Sequence, residues 1–567
     1  MKSNHCEKKR TFRLSIFFLL WVLFIVFSLV RIQVFEYGKY SAKIRSQTVR
    51  ILNLHPKRGT IYDRNGDILA ISIKTKSAFL SNKYPPASLN AFNRVSRLIA
   101  ISDHQKINVR KRIRSGEKFI WVKRKLTDGE FFTLSGLSLS ESEKGILNFI
   151  DEYRRVYPQG RTAAHVLGGV GIDEQALNGI EFGFDKTIRG MGGKVKALMD
   201  ARRKIFQLKT IEDPVPGKSI YLTIDSALQF FCQCELDKSV RQLGAKGGAV
   251  IVMDCRDGSI LAMANCPGYS PEEIAGTSPA VLKNKAIAFL YDPGSTFKLV
   301  LASAALENGV CRPEQEFNCF NGVFQVRDRT IYDVHPYDRL SFADIIVHSS
   351  NIGAAQIGEK LGAKRYYDVI RRFGFGTQTG IELPGEEYGI LNPMKSWSDV
   401  SLAFLSFGYE ISVTPIQMAK AFNVIASGGF SIEPRILKSV DRTSMPIRDK
   451  VRILSPDTVN QMVPILCEVV EKGTGKKAKI DGLRIAGKTG TTQKVKQGKY
   501  SSDHISSFGG FFPVESPRVT LFIMIDEPAV VYYGGDAAAP LFKSIAEKIV
   551  VSLNLFLPSF PGTGVGI

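Results

Sequence analysis

Pro293-Gly294-Ser295-Thr296-Phe297-Lys298 is the most informative stretch of this 567-residue chain. Pro293-Gly294 is typical of a turn, and the small and apolar residues that follow, up to Leu306, have a helical pattern. We therefore expect a helix to begin at Ser295, with Lys298 one turn later on the same face. The stretch predicts a serine hydroxyl and a lysine amine side by side at a helix N-terminus.

This spacing suits nucleophilic catalysis. A serine hydroxyl is a poor nucleophile until a base takes its proton, and a lysine can be that base when burial and neighbouring cations keep it partly neutral. Backbone N–H groups at a helix start also favour an oxyanion. Taken alone, a serine cap with a solvated lysine is the simpler interpretation, because S-x-x-K is common by chance.

Two further strings favour the catalytic interpretation. Ser349-Ser350-Asn351 is expected in a turn between helices, where Ser349 can pass a proton to a leaving amine and Asn351 can bind a substrate amide and position Lys298. Lys488-Thr489-Gly490-Thr491 is expected in a strand lined with small residues, which can bind a substrate backbone and its carboxylate. The alternatives are a capping turn and an edge strand protected by lysine. Three strings in this order are harder to explain as chance.

The composition indicates a multidomain globular protein with an anionic partner. Hydrophobic residues make up 44% and charged residues 23% of the chain, and the net charge of +22 is typical of proteins that meet a membrane surface or nucleic acid. The sequence shows no helix-turn-helix, zinc-finger or RNP-type motif, so we expect no nucleic acid. No cofactor is expected, and the cysteine spacing argues against a zinc site. Cys311 and Cys319 could form a disulfide or remain buried thiols.

The N-terminus predicts one membrane-spanning helix. The stretch from Leu14 to Val30 carries no charge and is nearly all large apolar residues, and Ile32, Val34 and Phe35 extend it, so we place the span at 14–35. The basic residues before it orient a tail of residues 1–13 toward the cytoplasm and the rest of the chain outward. A cleaved signal peptide is the alternative, but no small-x-small cleavage site follows Val30.

Breaks in the sequence pattern divide the rest of the chain into two domains and a tail. In residues 36–212, short strand-like runs alternate with breaks and basic clusters. This pattern ends at the proline-rich segment Asp213-Pro214-Val215-Pro216-Gly217. Residues 213–555 are predicted to form one α/β domain, and residues 556–567 a loose tail. The elements expected in this domain are a strand at Ser219–Ile224, a helix from Asp225, a hairpin of Gly248–Met253 and Ser259–Ala264, a helical middle, strands at Ser507–Phe512 and Val519–Ile525, and a closing helix at Ala538–Leu553. The first and last strands should meet in one sheet.

Motifs along nearly the whole chain carry a resemblance to a known family. The chain resembles class B penicillin-binding proteins, the monofunctional transpeptidases of bacterial peptidoglycan, and among them the division-specific type. The resemblance implies an antiparallel sheet with helices, as in serine β-lactamases, preceded by a pedestal (dimerisation-type) domain at 36–212 and the membrane helix. Beside the three strings, the motifs are Arg58-Gly59-Thr60-Ile61-Tyr62-Asp63-Arg64-Asn65-Gly66, Arg155-Val156-Tyr157-Pro158, Gly179-Ile180-Glu181, Ser406-Phe407-Gly408-Tyr409 and Tyr533-Gly534-Gly535.

The resemblance also implies roles for the site residues. Ser295 would be the acylated nucleophile and Lys298 its base, with Ser349, Asn351 and Lys488 in proton transfer and positioning. Thr489, Gly490 and Thr491 would bind the substrate, with the two threonines holding its terminal carboxylate. The N–H groups of Ser295 and Thr491 would form the oxyanion hole. The donor would be a stem peptide ending in D-Ala-D-Ala, the acceptor an amine of a neighbouring stem, and β-lactams would be inhibitors. Two departures from the family, Asp292 where glutamate is usual and Glu410 where glycine is usual, concern fine specificity.

Partners and alternatives follow from the same resemblance. A membrane-embedded glycan polymerase and other division proteins are the implied partners, and the septal inner membrane is the implied location. An elongation-type transpeptidase is the nearest alternative. A β-lactamase or D,D-carboxypeptidase would share the three strings but would not need the pedestal and the anchor. A non-catalytic division scaffold is disfavoured by the intact Ser295, Lys298 and Lys488.

Overall fold

The structure is a computed structural model that describes residues 3–54, 56–82, 84–138, 140, 143, 145–199, 205–496 and 499–555. The chain forms two compact units, one of Met1–Lys57 with Arg189–Gly217 and one of Arg58–Ile188 with Lys218–Ile567. The predicted loose tail, 556–567, lies outside the described residues. The predicted domain boundary at residue 213 stays a prediction.

The first unit contains the apolar N-terminal helix. An α-helix at Ser3–Val30 continues through a π-helical turn at Arg31–Phe35, and a second helix covers Tyr37–Thr48. Within the described residues, Arg10–Phe35 is the one helical stretch long and apolar enough to cross a membrane, and it covers the predicted span at 14–35. The unit also holds an antiparallel sheet with the strand order Val49–Leu54, Gly193–Met199, Ile205–Glu212.

The second unit begins with a seven-stranded sheet. Its long strand, Ile68–Ser81, pairs with three others, Leu147–Val156, Ile61–Tyr62 and Phe119–Lys123. Ile61–Tyr62 continues the sheet to Ile220–Leu222, Leu437–Val440 and Thr443–Ser444. Strands from before and after residue 213 therefore share one sheet. The longer helices beside it are Pro85–Leu98, Asp103–Arg114 and Asp128–Ser135.

A buried ion cluster joins three of the sequence motifs in this part of the unit. Both oxygens of the Glu181 carboxylate are used, since Arg58 Nη2 lies 2.7 Å from Oε2 and Arg155 Nε lies 2.6 Å from Oε1. Arg58 also pairs with Asp185 at 2.7 Å. Arg58, Arg155 and Glu181 are all buried, so each of these charges depends on its partners. The motifs at 58, 155 and 181 thus serve one structural cluster.

A five-stranded antiparallel sheet forms the centre of the second unit. The strand order is Ile260–Cys266, Gly247–Asp254, Val519–Asp526, Lys499–Phe512, Ala486–Lys496. The predicted hairpin is therefore present and pairs with the predicted strand at Val519–Ile525. The first predicted strand, Ser219–Ile224, does not join them, because Ile220–Leu222 pairs with Ile61–Tyr62 and Leu437–Val440 in the seven-stranded sheet. The predicted strand at Ser507–Phe512 begins earlier, at Lys499, because it pairs along the whole length of Ala486–Lys496.

Both faces of this sheet are covered by helices. Successive side chains of a strand point to opposite faces, and here both sets are apolar and need to be buried. Ile251 and Met253 face one core, with the helices Lys298–Glu307 and Pro415–Ala426. Val250 and Val252 face a second core, with Ser226–Gln242 and Ala539–Ser552. The helix after Asp225 and the closing helix were both predicted. The other helices of eight or more residues are Asn351–Leu361, Ala363–Arg372 and Pro456–Glu471.

Candidate active site

Ser295 lies in a short turn of 3-10 helix at Gly294–Phe297, and the α-helix starts at Lys298. The expected helix start at Ser295 is therefore three residues early. Gly294 has a φ of +54°, and a Cβ atom there would lie 2.2 Å from Thr492 Cγ2, so only glycine fits. Its N–H donates to the carbonyl of Gly408 at 3.0 Å. This turn holds Ser295 between the helix and the edge of the central sheet.

Lys298 is fully buried beside the Ser295 hydroxyl, as predicted. Its Nζ lies 3.1 Å from Ser295 Oγ and donates to Asn351 Oδ1 at 2.8 Å and to the carbonyl of Ser349 at 2.7 Å. Burial lowers the pKa of Lys298 to about 7, against an opposing effect of the Asp333 carboxylate. A substantial fraction of the lysine is therefore neutral at pH 7, which is the form that can take a proton.

Ser349 links the two buried lysines. It ends the helix Phe342–His348 in the left-handed region, with a φ of +65°, and Asn351 begins the next helix. The turn between helices was predicted. Ser349 Oγ accepts from Lys298 Nζ at 3.3 Å and from Lys488 Nζ at 3.0 Å. Burial first, and the charge of Lys298 second, lower the pKa of Lys488 far below its usual value.

Asp333 holds this turn from the other side, and sequence reasoning missed it. Its Oδ1 accepts from the N–H groups of Asn351 at 2.5 Å and Ile352 at 3.1 Å, and its Oδ2 accepts from Ser350 Oγ at 2.5 Å. Ser350 Oγ in turn caps the following helix by accepting from Gly353 N at 2.9 Å. The only local signal was a carboxylate at the end of a hairpin, and no spacing rule connects it to the turn.

The third string lies on the open edge of the central sheet. The strand expected around it is present and covers Ala486–Lys496. The pairing alternates so that Lys488 and Gly490 bond to the neighbouring strand, while the N–H and C=O groups of Thr489 and Thr491 point to the free edge. In agreement, the Thr489 carbonyl accepts from Lys488 Nζ at 3.2 Å. A substrate backbone can pair with this edge.

Neighbouring hydroxyls and backbone fix the side chains of this edge. Thr489 Oγ1 lies 2.7 Å from Thr474 Oγ1, and Thr491 Oγ1 accepts from the N–H of Gly534 at 2.8 Å. The Thr491 hydroxyl hydrogen is thus available to a ligand. A Cβ atom on Gly490 would lie 2.5 Å from Ser507 Oγ and 2.9 Å from Thr296 Cγ2, so a larger residue would push the strand off the nucleophile turn.

The two residues that depart from the family pattern lie close together. The Asp292 carboxylate accepts from Ser412 Oγ and from the Tyr500 hydroxyl, both at 3.2 Å. Burial, with a smaller effect of the Glu410 charge, raises the pKa of Asp292 to about 6. Glu410 has a φ of +60°, a conformation that glycine adopts without strain. Neither side chain is a hydrogen-bond partner of Lys298 or Lys488.

The cysteines take no part in a disulfide among the described residues. Cys311 and Cys319 are buried free thiols, which is the second of the two alternatives for that pair. Cys319 Sγ lies 3.7 Å from Ser350 Oγ. The described part of the chain contains no group of three or more His, Cys, Asp and Glu residues that could hold a metal ion.

Comparison with known families agrees with this fold. Residues 248–547 match the family described as penicillin binding protein transpeptidase domain, and residues 53–222 match the penicillin-binding protein dimerisation domain. The chain belongs to the penicillin-binding protein transpeptidase family, and the expectation of a class B member is confirmed.

Particular relatives match over nearly the full chain. It is 31% identical to stage V sporulation protein D of Bacillus subtilis, over 98% of this chain and 87% of that protein. It is 31% identical to the probable peptidoglycan D,D-transpeptidase PenA of Neisseria meningitidis serogroup A, over 100% and 97%. For the peptidoglycan D,D-transpeptidase FtsI of Escherichia coli K12 the identity is 30%, over 90% and 86%. The crystal structure of penicillin binding protein 3 from Mycobacterium tuberculosis with ampicillin superposes with a TM-score of 0.70 at 28% identity, over 90% and 98%.

Proposed function

We propose that this protein is a peptidoglycan D,D-transpeptidase that cross-links stem peptides through an acyl-serine intermediate at Ser295. The observation that carries the proposal is the buried Lys298 amine 3.1 Å from Ser295 Oγ, with a pKa near 7. The family and the relatives named as D,D-transpeptidases support the same reaction.

In the acylation step, neutral Lys298 takes the proton of Ser295 Oγ as the oxygen attacks the carbonyl carbon of the penultimate D-Ala. The N–H groups of Ser295 and Thr491 receive the oxyanion, and the latter N–H lies on the free strand edge. The bond between that carbon and the terminal D-Ala nitrogen then breaks. Ser349 delivers a proton to the leaving amine, since its hydroxyl contacts both lysines.

In the second step, an amine of a neighbouring stem peptide attacks the ester carbon, and Ser295 recovers its proton. Lys488 with the hydroxyls of Thr489 and Thr491 binds the carboxylate of the donor before it leaves, because amine and hydroxyl donors at one strand edge suit an anion. Asn351 binds a substrate amide and positions Lys298. β-Lactams acylate the same serine and remain there.

The cellular setting we propose is septal wall synthesis at the inner membrane. The apolar helix Arg10–Phe35 supports a single-pass anchor with the catalytic part outside the cytoplasm. The Ser406-Phe407-Gly408-Tyr409 and Tyr533-Gly534-Gly535 motifs support the division type over the elongation type. A membrane-embedded glycan polymerase and other division proteins are the proposed partners. A tagged copy that follows the sidewall instead of the septum would favour the elongation type.

Labelling with a fluorescent penicillin tests the chemistry. We expect the wild-type protein to label and Ser295→Ala to lose labelling. The melting temperature should change little, because the substitution removes one partly exposed hydroxyl and no apolar core volume. Mass spectrometry of a tryptic digest should place the acyl group on the peptide that contains Ser295. An acyl group on Ser349 would overturn the assignment, and release of free D-Ala without cross-linking in the presence of an acceptor peptide would favour a carboxypeptidase.

A further inference from the structure

The Asp333 carboxylate joins an exposed hairpin to the Ser349–Asn351 turn. It follows the antiparallel hairpin of Val323–Val326 and Arg329–Tyr332. Both of its oxygens are used by the turn, with donors from the three consecutive residues Ser350, Asn351 and Ile352 at 2.5, 2.5 and 3.1 Å. Charge-assisted bonds of this length to one carboxylate are strong and specify a geometry.

The hydrogen bonds of Asp333 fix the two residues that hold Lys298 in place. Asn351 is held through its backbone by Asp333 and through its Nδ2, which donates to the carbonyl of Tyr332 at 3.2 Å. Its Oδ1 then faces Lys298 Nζ at 2.8 Å. Ser349, whose carbonyl accepts from the same amine at 2.7 Å, has a left-handed backbone that persists only where its surroundings hold it.

We propose that Asp333 is a positioning residue for acylation, which holds Ser349 and Asn351 where both can bind Lys298. This inference rests on the proposed function. Asp333 touches neither the substrate nor Ser295, and it acts through the turn.

The charge of Asp333 gives the role a measurable signature. Asp333, after the hairpin, is the charged group that opposes the effect of burial on the pKa of Lys298, and Lys488, on the strand edge, shares the Ser349 hydroxyl with Lys298. Around Asp333 itself the titratable neighbours are Cys319 and Tyr337, whose pKa values are both raised, by burial first and by the Asp333 charge as a smaller cause. Asp333 favours the ammonium form of Lys298, so its removal should make the neutral base available at lower pH.

Two substitutions separate the hydrogen bonds from the charge. Asp333→Asn keeps an oxygen for the N–H groups of Asn351 and Ile352, and its Nδ2 can donate to Ser350 Oγ, but it removes the charge. Asp333→Ala removes both. The matched control is Asp328→Asn in the same hairpin, where the side chain is 77% exposed and forms an ion pair with Arg329 at 3.6 Å.

The experiment is the second-order rate of acylation by a fluorescent penicillin, measured from pH 5 to 9 with the full-length protein. We expect Asp333→Ala to slow acylation about tenfold or more, because it removes three hydrogen bonds to the turn that holds Lys298. Asp333→Asn should restore most of the rate at pH 8 and move the midpoint of the acid limb to lower pH. Asp328→Asn should match the wild type at every pH.

The possible outcomes distinguish a failure of this inference from a failure of the proposed function. Wild-type protein that does not label at all contradicts the proposed function. If the wild type labels, an Asp333→Asn profile that superposes on it overturns the inference, as does an Asp333→Ala rate within twofold of it. If Asp333→Ala fails to fold, as thermal unfolding would show, the Asp333→Asn profile decides alone.

Discussion

Lys298 and Lys488 donate hydrogen bonds to the same oxygen, Ser349 Oγ, at 3.3 and 3.0 Å. Both amines are fully buried, and two ammonium groups that share one hydroxyl repel each other. Burial is the main cause of the lowered pKa of each lysine. The pair therefore favours states in which at most one of the two amines is a charged ammonium group. A hydroxyl between two such amines is suited to carry a proton from one to the other.

The first prediction concerns pH. Because neutral Lys298 is the base, and its pKa is lowered to about 7, the rate of penicillin acylation should rise through pH 7 and level off above it. A solvated lysine would give a rate that still rises at pH 9. Stopped-flow labelling from pH 5 to 9, with circular dichroism at each pH to exclude unfolding, distinguishes the two.

The second prediction concerns the strand edge. Thr491→Val should slow acylation by carboxylate-bearing β-lactams and by D-Ala-D-Ala-type thioesters by about tenfold or more, since it removes a hydroxyl donor and leaves the N–H of Gly534 without its acceptor. Thr491→Ser keeps the hydroxyl and is the matched control. Rates for Thr491→Val equal to those of the wild type with both reagents would refute the carboxylate role.

The third prediction concerns Gly490. A methyl group there would meet Ser507 Oγ at 2.5 Å, Thr296 Cγ2 at 2.9 Å and the Pro293 carbonyl at 3.0 Å, so Gly490→Ala should displace the nucleophile turn and lower the labelling rate at least tenfold. Gly129→Ala, in the helix Asp128–Ser135 with no atom near the new methyl group, should leave labelling unchanged. Equal labelling rates for the two variants would contradict the proposed packing.

The fourth prediction concerns the anchor. All proposed site residues belong to the second unit and the apolar helix to the first, so a protein that begins at Glu36 should fold and label with penicillin at Ser295. Exported without its helix, it should fail to support septation in cells depleted of the full-length protein, because tethering raises the local concentration of a lipid-linked substrate and an embedded partner.

Two outcomes would contradict separate parts of that argument. Normal septation by the helix-free protein would remove the need for the anchor and for an embedded partner. A helix-free protein that folds but cannot label would place part of the catalytic machinery before Glu36. Labelling of the full-length protein in the same membranes is the control for both.

Local signals predicted much of the catalytic domain. Short, nearly continuous apolar runs predicted the hairpin now seen at Gly247–Cys266 and the strand at Val519–Asp526, and Asp225 marked the start of a helix that it does cap. The Ser295–Lys298 contact was predictable because three residues of helix bring the two groups together.

Contacts between distant segments were not predictable in the same way. Asp333 reaches Asn351 only because a hairpin folds back on the turn, and neither residue carries a local pattern that names the other. The exact start of the α-helix was missed for a similar reason. Ser295 sits in a tighter turn because Gly294 packs against Gly408 and Thr492, two residues more than a hundred positions away. Glu181 likewise gathers arginines from two other motifs.

The strand order of the central sheet constrains how the protein can acquire its activity. Gly247–Asp254 pairs with Val519–Asp526, which pairs with Lys499–Phe512, and the strand that carries Lys488 pairs with Lys499–Phe512 at the edge of the sheet. Such pairing has a high contact order, so closing the sheet must wait for nearly the whole chain and is intrinsically slow. Until then the hairpin presents an unpaired apolar edge to its surroundings. A polypeptide that emerges N-terminus first therefore exposes its serine long before it can use it, and the enzyme becomes competent only when its last strands arrive.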